Sequence, residues 1–346
     1  MNRIAHRIGL AVWGILATWG MTAVLQVQAA PQDTPANGVP VRYLRGHNTK
    51  ASSLAFSRDG RYAISGGGGQ SDFFGLGRTV WMDCTARLWD TRTGQEVRTF
   101  GGHAEAITQV AVAPGDNHVL TASSDNTVRV WNMRTGRILH QFSGNRGEFS
   151  PDGKMAAVAL KNGAIEVYEM GTGDCRTKMV GHHNGVTTLA YSADGQFLLS
   201  GGNDEAVRIW DVRTGKAVRS FRLGEGQIPL CVAFGEDGRQ IVVVTDSQLS
   251  LWDVASGVQV SSTKVAAGDQ QLALAVLSGD ARRLFCAEQG KAIAVYDVPS
   301  GKSIGVLPKE PGPVKHLAVS PDGTRVLLGL ENSNDLILRE LLITPQ

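Results

Sequence analysis

The sequence of 346 residues contains few charged and aromatic residues and only four cysteines. The cysteines are far apart and form no Cys-x-x-Cys pair, which excludes a dense disulfide framework and a zinc or redox pair of that type. They are Cys84, Cys175, Cys231 and Cys286. Charged residues make up 19% of the chain and hydrophobic residues 42%. This composition excludes a mostly disordered chain, and we expect a globular protein in which most cysteines are small buried side chains.

The sequence also lacks an excess of positive charge. Its formal net charge is +2, and two of the basic residues, Arg3 and Arg7, belong to the N-terminal segment. Without them, 32 basic residues face 32 acidic ones. Proteins that bind nucleic acids usually carry a basic face that neutralises phosphates. The balanced charge therefore predicts no nucleic-acid partner.

Long hydrophobic runs are absent except at the N-terminus. Residues 1–29 begin with basic side chains, continue with 18 mostly apolar residues from Ile8 to Leu25, and end in Val27–Gln28–Ala29. This organisation is typical of a secretory signal peptide cleaved after Ala29. An uncleaved membrane anchor is the alternative, because the apolar run approaches the length that spans a bilayer.

Both interpretations place the rest of the chain outside the cytoplasm, in the periplasm or the extracellular space. Contact with a membrane is expected only if the leader stays attached. Residues 30–38 are polar and contain proline, and we interpret them as a linker. Residues 39–346 then form the folded domain.

Glycine, in contrast, is abundant, with 42 residues. Many of these glycines mark a repeat of roughly 42 residues. Asp-Gly turns recur at Asp59, Asp152, Asp194, Asp237 and Asp322, with looser counterparts at Asp116 and Asp280. A second marker is a strand that ends in an aromatic and a polar residue. It recurs at Trp89-Asp90, Trp131-Asn132, Tyr168-Glu169, Trp210-Asp211, Trp252-Asp253 and Tyr296-Asp297, with a degraded copy at Arg339-Glu340.

Both markers indicate seven units, each with four short strands separated by turns that need glycine. These units resemble the WD-repeat β-propeller family, and with the leader the chain resembles bacterial-type exported members. The resemblance implies an all-β fold, a seven-bladed propeller of four-stranded antiparallel blades. The last unit lacks its fourth strand, and Val41 to Arg45 matches the missing sequence. We expect this N-terminal strand to complete the last blade and cover its open edge.

The resemblance also implies a buried tetrad of histidine, hydroxyl, aspartate and tryptophan in three units. The sets are His47, Ser65, Asp83 and Trp89; His103, Thr121, Asp125 and Trp131; and His182, Ser200, Asp204 and Trp210. Such a set satisfies every polar group of a dry site. Because the sets recur with the repeat, we interpret them as structural and not as catalytic triads. The third unit has little room between Gly144 and Phe149 for a first strand, so blade three is predicted to be the weakest.

One insertion interrupts the repeat. Residues 68–82 occupy a place where a full unit has one residue, and they include Phe73, Phe74 and Trp81. Aromatic side chains on a loop are typical contacts of a protein partner. The alternative is that the loop folds back and covers the edge of a blade, since a longer loop costs little closure entropy.

Signals for catalysis, a metal or a cofactor are weak. Gly301-Lys302-Ser303 resembles the end of a phosphate-binding loop, but Tyr296 stands where that loop needs glycine. Among the innermost strands that we could place, His316 is the one titratable residue that we identify, and a metal site needs three or four donors. We therefore predict a non-catalytic, monomeric scaffold that binds a protein partner and needs no cofactor or metal. The alternatives are an enzyme with a site at the channel mouth and a module that binds a carbohydrate or envelope polymer.

Overall fold

The computed structural model describes residues 41–72, 79–115, 117–265, 272–288 and 290–343, with side chains given outside residues 70–81. The predicted leader and linker lie outside these ranges. Within them the regular structure consists of 30 strands. No helix of the described ranges is long and apolar enough to cross a membrane.

The strands follow one another along the chain with short connections. The first seven are β1 (Val41–Leu44), β2 (Ala51–Phe56), β3 (Tyr62–Gly67), β4 (Gly69–Asp72), β5 (Thr79–Met82), β6 (Thr85–Asp90) and β7 (Glu96–Gly101). The next eight are β8 (Ile107–Val112), β9 (His118–Ser123), β10 (Thr127–Asn132), β11 (Ile138–Ser143), β12 (Arg146–Phe149), β13 (Met155–Ala159), β14 (Ile165–Glu169) and β15 (Cys175–Met179). They are followed by β16 (Val186–Tyr191), β17 (Phe197–Gly202), β18 (Ala206–Asp211), β19 (Ala217–Arg222), β20 (Cys231–Phe234), β21 (Gln240–Val244), β22 (Gln248–Asp253) and β23 (Gln259–Lys264). The last seven are β24 (Leu272–Leu277), β25 (Arg283–Glu288), β26 (Ala294–Asp297), β27 (Lys302–Val306), β28 (Val314–Val319), β29 (Arg325–Leu330) and β30 (Leu336–Glu340).

These strands form seven antiparallel sheets of four strands, which confirms the predicted seven-bladed propeller. In chain order the blades are β2-β3-β6-β7, β8-β9-β10-β11, β12-β13-β14-β15, β16-β17-β18-β19, β20-β21-β22-β23, β24-β25-β26-β27 and β28-β29-β30-β1. The first strands of neighbouring blades lie against one another around the axis. The last strand of each blade forms the outer rim, where half or more of its residues are exposed in most blades.

The turn between the first and second strand of a blade explains one recurrent sequence signal. In blade one, Ser57 Oγ donates to Asp59 at 2.6 Å and accepts from the main-chain N–H of Tyr62 at 2.9 Å. Gly60 adopts a φ of 66°, a left-handed conformation that favours glycine. The same serine-aspartate contact recurs at Ser150, Ser192, Ser278 and Ser320. The Asp-Gly repeat in the sequence is therefore a repeat of this turn.

The core lies between adjacent blades. Ile64 and Leu88 of blade one pack with Val110 and Val119 of blade two, and all four are buried. Equivalent clusters join the other blades, so that each sheet buries both faces. A propeller of this kind is stabilised mainly by apolar area removed from water between blades.

The N-terminal strand closes the ring, as predicted. Strand β1 pairs with β30, with Val41 opposite Arg339 and Leu44 opposite Leu336. Leu44 is fully buried. The closing blade is also tied to blade one, because Arg325 donates to the main-chain oxygen of Gly60 at 2.8 Å.

Blade three has a first strand, although the sequence left little room for one. Strand β12 has four residues, compared with six in β2 and β8, and pairs with β13 from Arg146–Ala159 to Phe149–Ala156. The connection before it is short because Gly144 packs directly on blade three. A Cβ atom at Gly144 would lie 2.4 Å from Cγ1 of Val158. The predicted weakness of this blade stays a prediction.

Candidate functional site

The first of the three tetrads lies in blade one. His47 Nδ1 is 2.8 Å from Asp83 Oδ2, and His47 Nε2 is 2.7 Å from Ser65 Oγ. The indole N–H of Trp89 donates to the same Oγ at 2.8 Å. Ser65 and Trp89 are fully buried. Since an ionised aspartate can only accept, the imidazole donates from Nδ1 and accepts the serine proton at Nε2.

The second tetrad repeats this geometry in blade two. His103 Nδ1 is 2.8 Å from Asp125 Oδ2, and Nε2 is 2.7 Å from Thr121 Oγ1. Trp131 donates to Thr121 Oγ1 at 2.8 Å. A threonine thus replaces the serine without changing the hydrogen bonds.

The third tetrad lies in blade four and includes one more cation. His182 contacts Asp204 and Ser200 at 2.7 Å each, and Trp210 donates to Ser200 at 2.7 Å. Arg208 donates to Asp204 at 2.9 Å. The structure therefore brings together all twelve residues that the sequence assigns to tetrads.

Burial and hydrogen bonds determine the protonation states of the tetrads. Burial would raise the pKa of Asp125, but hydrogen bonds from Thr127 and His103 outweigh this effect and lower its pKa to about 2. The pKa values of Asp83 and Asp204 are lowered in the same way. Burial lowers the pKa of His103 and His182, against the influence of their aspartates. At neutral pH these two histidines are neutral and each hydroxyl is held by an indole, which suits a structural role.

Two of the other blades contain reduced versions of this network. In blade five, Trp252 Nε1 donates to Ser250 Oγ at 3.0 Å. In blade three, Tyr168 takes the place of tryptophan, donates to Glu166 at 2.5 Å and stacks on Phe142 of blade two. These pairs explain why the aromatic marker persists in units without the Gly-His element.

The insertion forms a two-stranded ribbon in its described part. Strands β4 and β5 pair with each other, with Gly69 opposite Met82 and Asp72 opposite Thr79. They belong to a sheet of their own and add no strand to blade one. Phe73 and Phe74 lie outside the described residues. The main chain of Trp81 pairs with that of Gln70, and its side chain is outside the description.

The base of the ribbon lies on the face that carries the Gly-His loops. The N–H of Gly68 donates at 3.2 Å to Oγ1 of Thr49, which follows His47 by two residues. A Cβ atom at Gly68 would lie 2.3 Å from Cβ of Ala106, which follows His103. The ribbon therefore begins between the loops of blades one and two, and only glycine fits at its base.

Other apolar side chains are exposed in the connections on this face, which we call the Gly-His face. Met82, at the end of β5, is 43% exposed, and Val180, next to Gly181-His182, is 71% exposed. Ile228 and Leu230, in the connection before β20, are also exposed. Exposed apolar side chains of this kind favour a contact with another molecule.

The structure adds titratable residues to the channel wall that the sequence analysis missed. Strand β12 places Arg146 and Glu148 among the innermost strands. Our identification of His316 as the one titratable residue there was wrong, since the first strands also carry Cys231 and Tyr191. We missed Arg146 and Glu148 because we found no first strand in unit three. Their signal was the alignment of Ser150-Pro151-Asp152-Gly153 with the other turns.

In the described ranges, no three or more histidine, cysteine, aspartate or glutamate side chains converge as a metal site requires. His316 is half-buried, and burial lowers its pKa. It thus lies in the channel wall as a neutral side chain at pH 7.

The ring of seven blades and the three repeated tetrads define a β-propeller of the WD type. A comparison with family models agrees: the model of the WD domain, G-beta repeat, matches residues 38–90, 94–132 and 173–211. These are the three units with complete tetrads. These three units of the chain are WD repeats.

Two relatives show how far the similarity extends. The chain is 26% identical over 233 residues to the small ribosomal subunit protein RACK1 of Caenorhabditis elegans, covering 65% of this chain and 67% of that protein. It is 29% identical over 262 residues to the small ribosomal subunit protein RACK1y of Oryza sativa subsp. japonica, covering 71% of each.

Proposed function

We propose that this protein is an exported, non-catalytic scaffold that holds a protein partner on its Gly-His face. The observation that carries the proposal is the ribbon of β4 and β5, which starts on that face and pairs only with itself in its described part. A ribbon that adds no strand to a blade contributes little to the fold. It is free to serve a contact.

The composition of the insertion supports this role. Phe73, Phe74 and Trp81 lie within it, and its described end exposes Met82. Aromatic residues and methionine are enriched in the centres of protein interfaces, and large aromatic side chains supply much of their binding energy. Val180 and Leu230 are also exposed on the same face.

The tetrads argue against a hydrolase. A serine nucleophile needs a free hydroxyl beside a basic histidine. Here Ser65 and Ser200 are fully buried, and each Oγ is bonded to an indole. We therefore assign these groups to the stability of the blades.

The relatives named above are proteins of the small ribosomal subunit, which is an assembly of many macromolecules. We infer that this chain shares with them a propeller used for contacts and not the ribosome as partner. The balanced charge gives no support for an RNA partner, and we expect the predicted leader to direct the chain out of the cytoplasm.

The experiment that tests the proposal is crosslinking in intact cells followed by mass spectrometry. We compare the wild type with a graft in which residues 68–84 are replaced by Asn-Asp-Glu, the sequence of residues 203–205 in blade four. This graft removes the ribbon and keeps an aspartate for the tetrad. We expect crosslinks to the partner to disappear while the melting temperature stays near that of the wild type.

Point variants separate contact from fold. The triple variant with Phe73, Phe74 and Trp81 changed to alanine should lose the partner. Val218→Ala is the matched control, because Val218 is exposed on the outer strand of blade four. If the triple variant lowers the melting temperature and keeps the crosslinks, the ribbon belongs to the core and the proposal fails. Retention on an envelope polymer that is lost in Trp81→Ala would assign the face to a polymer instead.

Export is tested separately by cell fractionation and mass spectrometry of the N-terminus. We expect a chain that begins at Ala30 outside the cytoplasm. A full-length chain in the membrane fraction would show that the leader is an uncleaved anchor. A chain found in the cytoplasm would contradict export.

A further inference from the structure

The innermost strands align so that one residue from each blade lies at the same level of the channel. We call this set the upper ring, and each member is opposite an equivalent residue of the second strand. The upper ring consists of Ser53, Gln109, Arg146, Thr188, Cys231, Leu274 and His316. Six of these seven side chains are half-buried although their strands are the innermost of the fold. They are therefore accessible from the channel.

Two residues further along each strand lies a second level, which we call the lower ring. It consists of Ala55, Ala111, Glu148, Ala190, Ala233, Val276 and Ala318. Six of the seven residues are small and aliphatic. Glu148 is the exception, and it shares β12 with Arg146 of the upper ring.

Upper-ring side chains reach toward the next blade. Ser53 Oγ accepts from the main-chain N–H of Val110 in blade two at 3.0 Å. Gln109 bonds to the main chain of Gly147 in blade three at 2.9 and 3.1 Å. Arg146 is the next member of this series, but its guanidinium forms no hydrogen bond or ion pair with any described residue.

An anion bound beside this unpaired guanidinium in the channel wall would stabilise its charge. Burial lowers the pKa of Arg146, which means that its charge is less well solvated than in water. A partly desolvated charge is stabilised by a counter-charge, and the planar fork of arginine suits a carboxylate that accepts two hydrogen bonds. The channel around it supplies further donors at the same level, among them the Thr188 hydroxyl.

We propose that the channel of this propeller binds a carboxylate group at Arg146, and that Glu148 one level below controls how tightly it is held. A carboxylate is favoured over a phosphate dianion because the upper ring supplies one permanent cation. His316, in blade seven, has a pKa lowered by burial and by Lys315 and is neutral at pH 7. The acidic Glu148 nearby also disfavours a second negative charge on the ligand.

Glu148 makes this binding depend on pH. Burial raises its pKa to about 7, so that it changes charge near neutrality. Strand β12 packs against β8, β9, β13 and β16. The titratable or charged groups on those strands are His118 of β9 and Tyr191 of β16, and Arg146 and Asp152 lie on the same blade. Tyr191 Oη is buried and has no hydrogen-bond partner in the described part of the chain. None of these four strands therefore supplies a permanent positive charge that would stabilise the ionised form of Glu148.

The test is a titration of the purified protein with sodium acetate, followed by the amide NMR signals of residues 146–149. Acetate stays ionised between pH 6 and pH 8, so any pH dependence belongs to the protein. We expect saturable binding that is about three- to tenfold tighter at pH 6 than at pH 8, as expected for removing one nearby charge. Sodium chloride at equal ionic strength is the control for a general salt effect, and inorganic phosphate distinguishes a phosphate site from a carboxylate site.

Variants assign the site to the two residues. Arg146→Gln should weaken acetate binding by about tenfold or more, and Arg146→Lys, which keeps the charge without the fork, by less. Arg176→Gln is the matched control, since Arg176 is exposed on the outer strand of the same blade. Glu148→Gln should bind acetate at pH 8 as tightly as the wild type does at pH 6. Equal binding by wild type and Arg146→Gln, or tighter binding of phosphate than of acetate, would overturn the proposal.

Discussion

Gln109 of blade two bonds to the main chain of Gly147 in blade three as a neighbouring strand would. Its Nε2 donates to Gly147 O at 2.9 Å, and its Oε1 accepts from Gly147 N–H at 3.1 Å. The inner edge of β12 is thus covered by one side chain, which joins two blades at the channel.

Replacing this side chain should destabilise the ring. Gln109→Ala leaves a buried N–H and C=O of Gly147 without partners, and we expect the free energy of unfolding to fall by about 1–3 kcal/mol. Urea denaturation measures the change. Gln141→Ala, on the exposed outer strand of the same sheet, is the control and should stay within about 0.5 kcal/mol of wild type. Equal losses in both variants would contradict the role of Gln109.

The tetrads predict a graded cost for removing their central hydroxyl. Ser200→Ala leaves the indole N–H of Trp210 and Nε2 of His182 without a partner, at about 1–3 kcal/mol for each group. Ser250→Ala in blade five leaves one ring nitrogen, that of the Trp252 indole, without a partner, and it also removes a longer bond of 3.2 Å to the main-chain oxygen of Val243. We therefore expect Ser200→Ala to lower the free energy of unfolding roughly twice as much. Similar losses at both sites would show that the histidine adds nothing.

In a Glu148→Gln background, which removes the opposite effect of the raised Glu148 pKa, stability should decline as the pH falls below neutrality. His103 and His182 have lowered pKa values in the fold, so the unfolded chain binds more protons below about pH 6.5. Asp125, with a pKa lowered from 3.8 to about 2, adds a second decline below pH 4 for the same reason. The urea midpoint measured between pH 8 and pH 3 should fall in both ranges. In His103→Gln the upper decline should be smaller, and an unchanged pH profile would contradict a neutral His103.

Much of the molecule follows from the sequence because its signals are local and repeated. The tetrad of His47, Ser65, Asp83 and Trp89 could be assigned because the units resemble the WD-repeat family, which implies such a set, and because similar sets recur in two other units. Strand β12 could not be placed from the spacing, since that reasoning assumes a connection of ordinary length. Because Gly144 lies directly against Val158, the connection before β12 can be shorter than usual. Such a contact between blades is visible only in three dimensions. The ribbon strand Gly69–Asp72 was missed because it has no alternating apolar residues.

The closing strand should be required for stability. Leu44→Ala removes a fully buried side chain and is expected to cost about 2–5 kcal/mol. Leu342→Ala, at a position that is 43% exposed, is the control and should cost little. Deletion of residues 30–45 should lower the melting temperature further and promote self-association through the open edge of β30, which light scattering detects. An unchanged melting temperature after the deletion would contradict closure by β1.

Blade three should open more readily than its neighbour. Its first strand has four residues, and Val158 and Tyr168 replace the serine and tryptophan of a tetrad. Native-state hydrogen exchange should therefore show faster exchange for the amides of β13 and β14 than for those of β17 and β18 in blade four. Equal protection in the two blades would show that the Tyr168–Phe142 stack compensates for the missing tetrad.

The pairing of β1 with β30 also determines when the propeller can become complete. Arg45 and Asp335, which form an ion pair beside this seam, are separated by 290 positions in the chain. Strand β1, the first to be synthesised, therefore has no partner until β30 has been made. A partly synthesised chain can fold single blades but cannot close the propeller. Contacts so distant in sequence form slowly, and until they form the edges of β1 and β30 stay open to other chains. For an exported chain, as we propose this one to be, this delay keeps the polypeptide unclosed during the interval in which it is translocated.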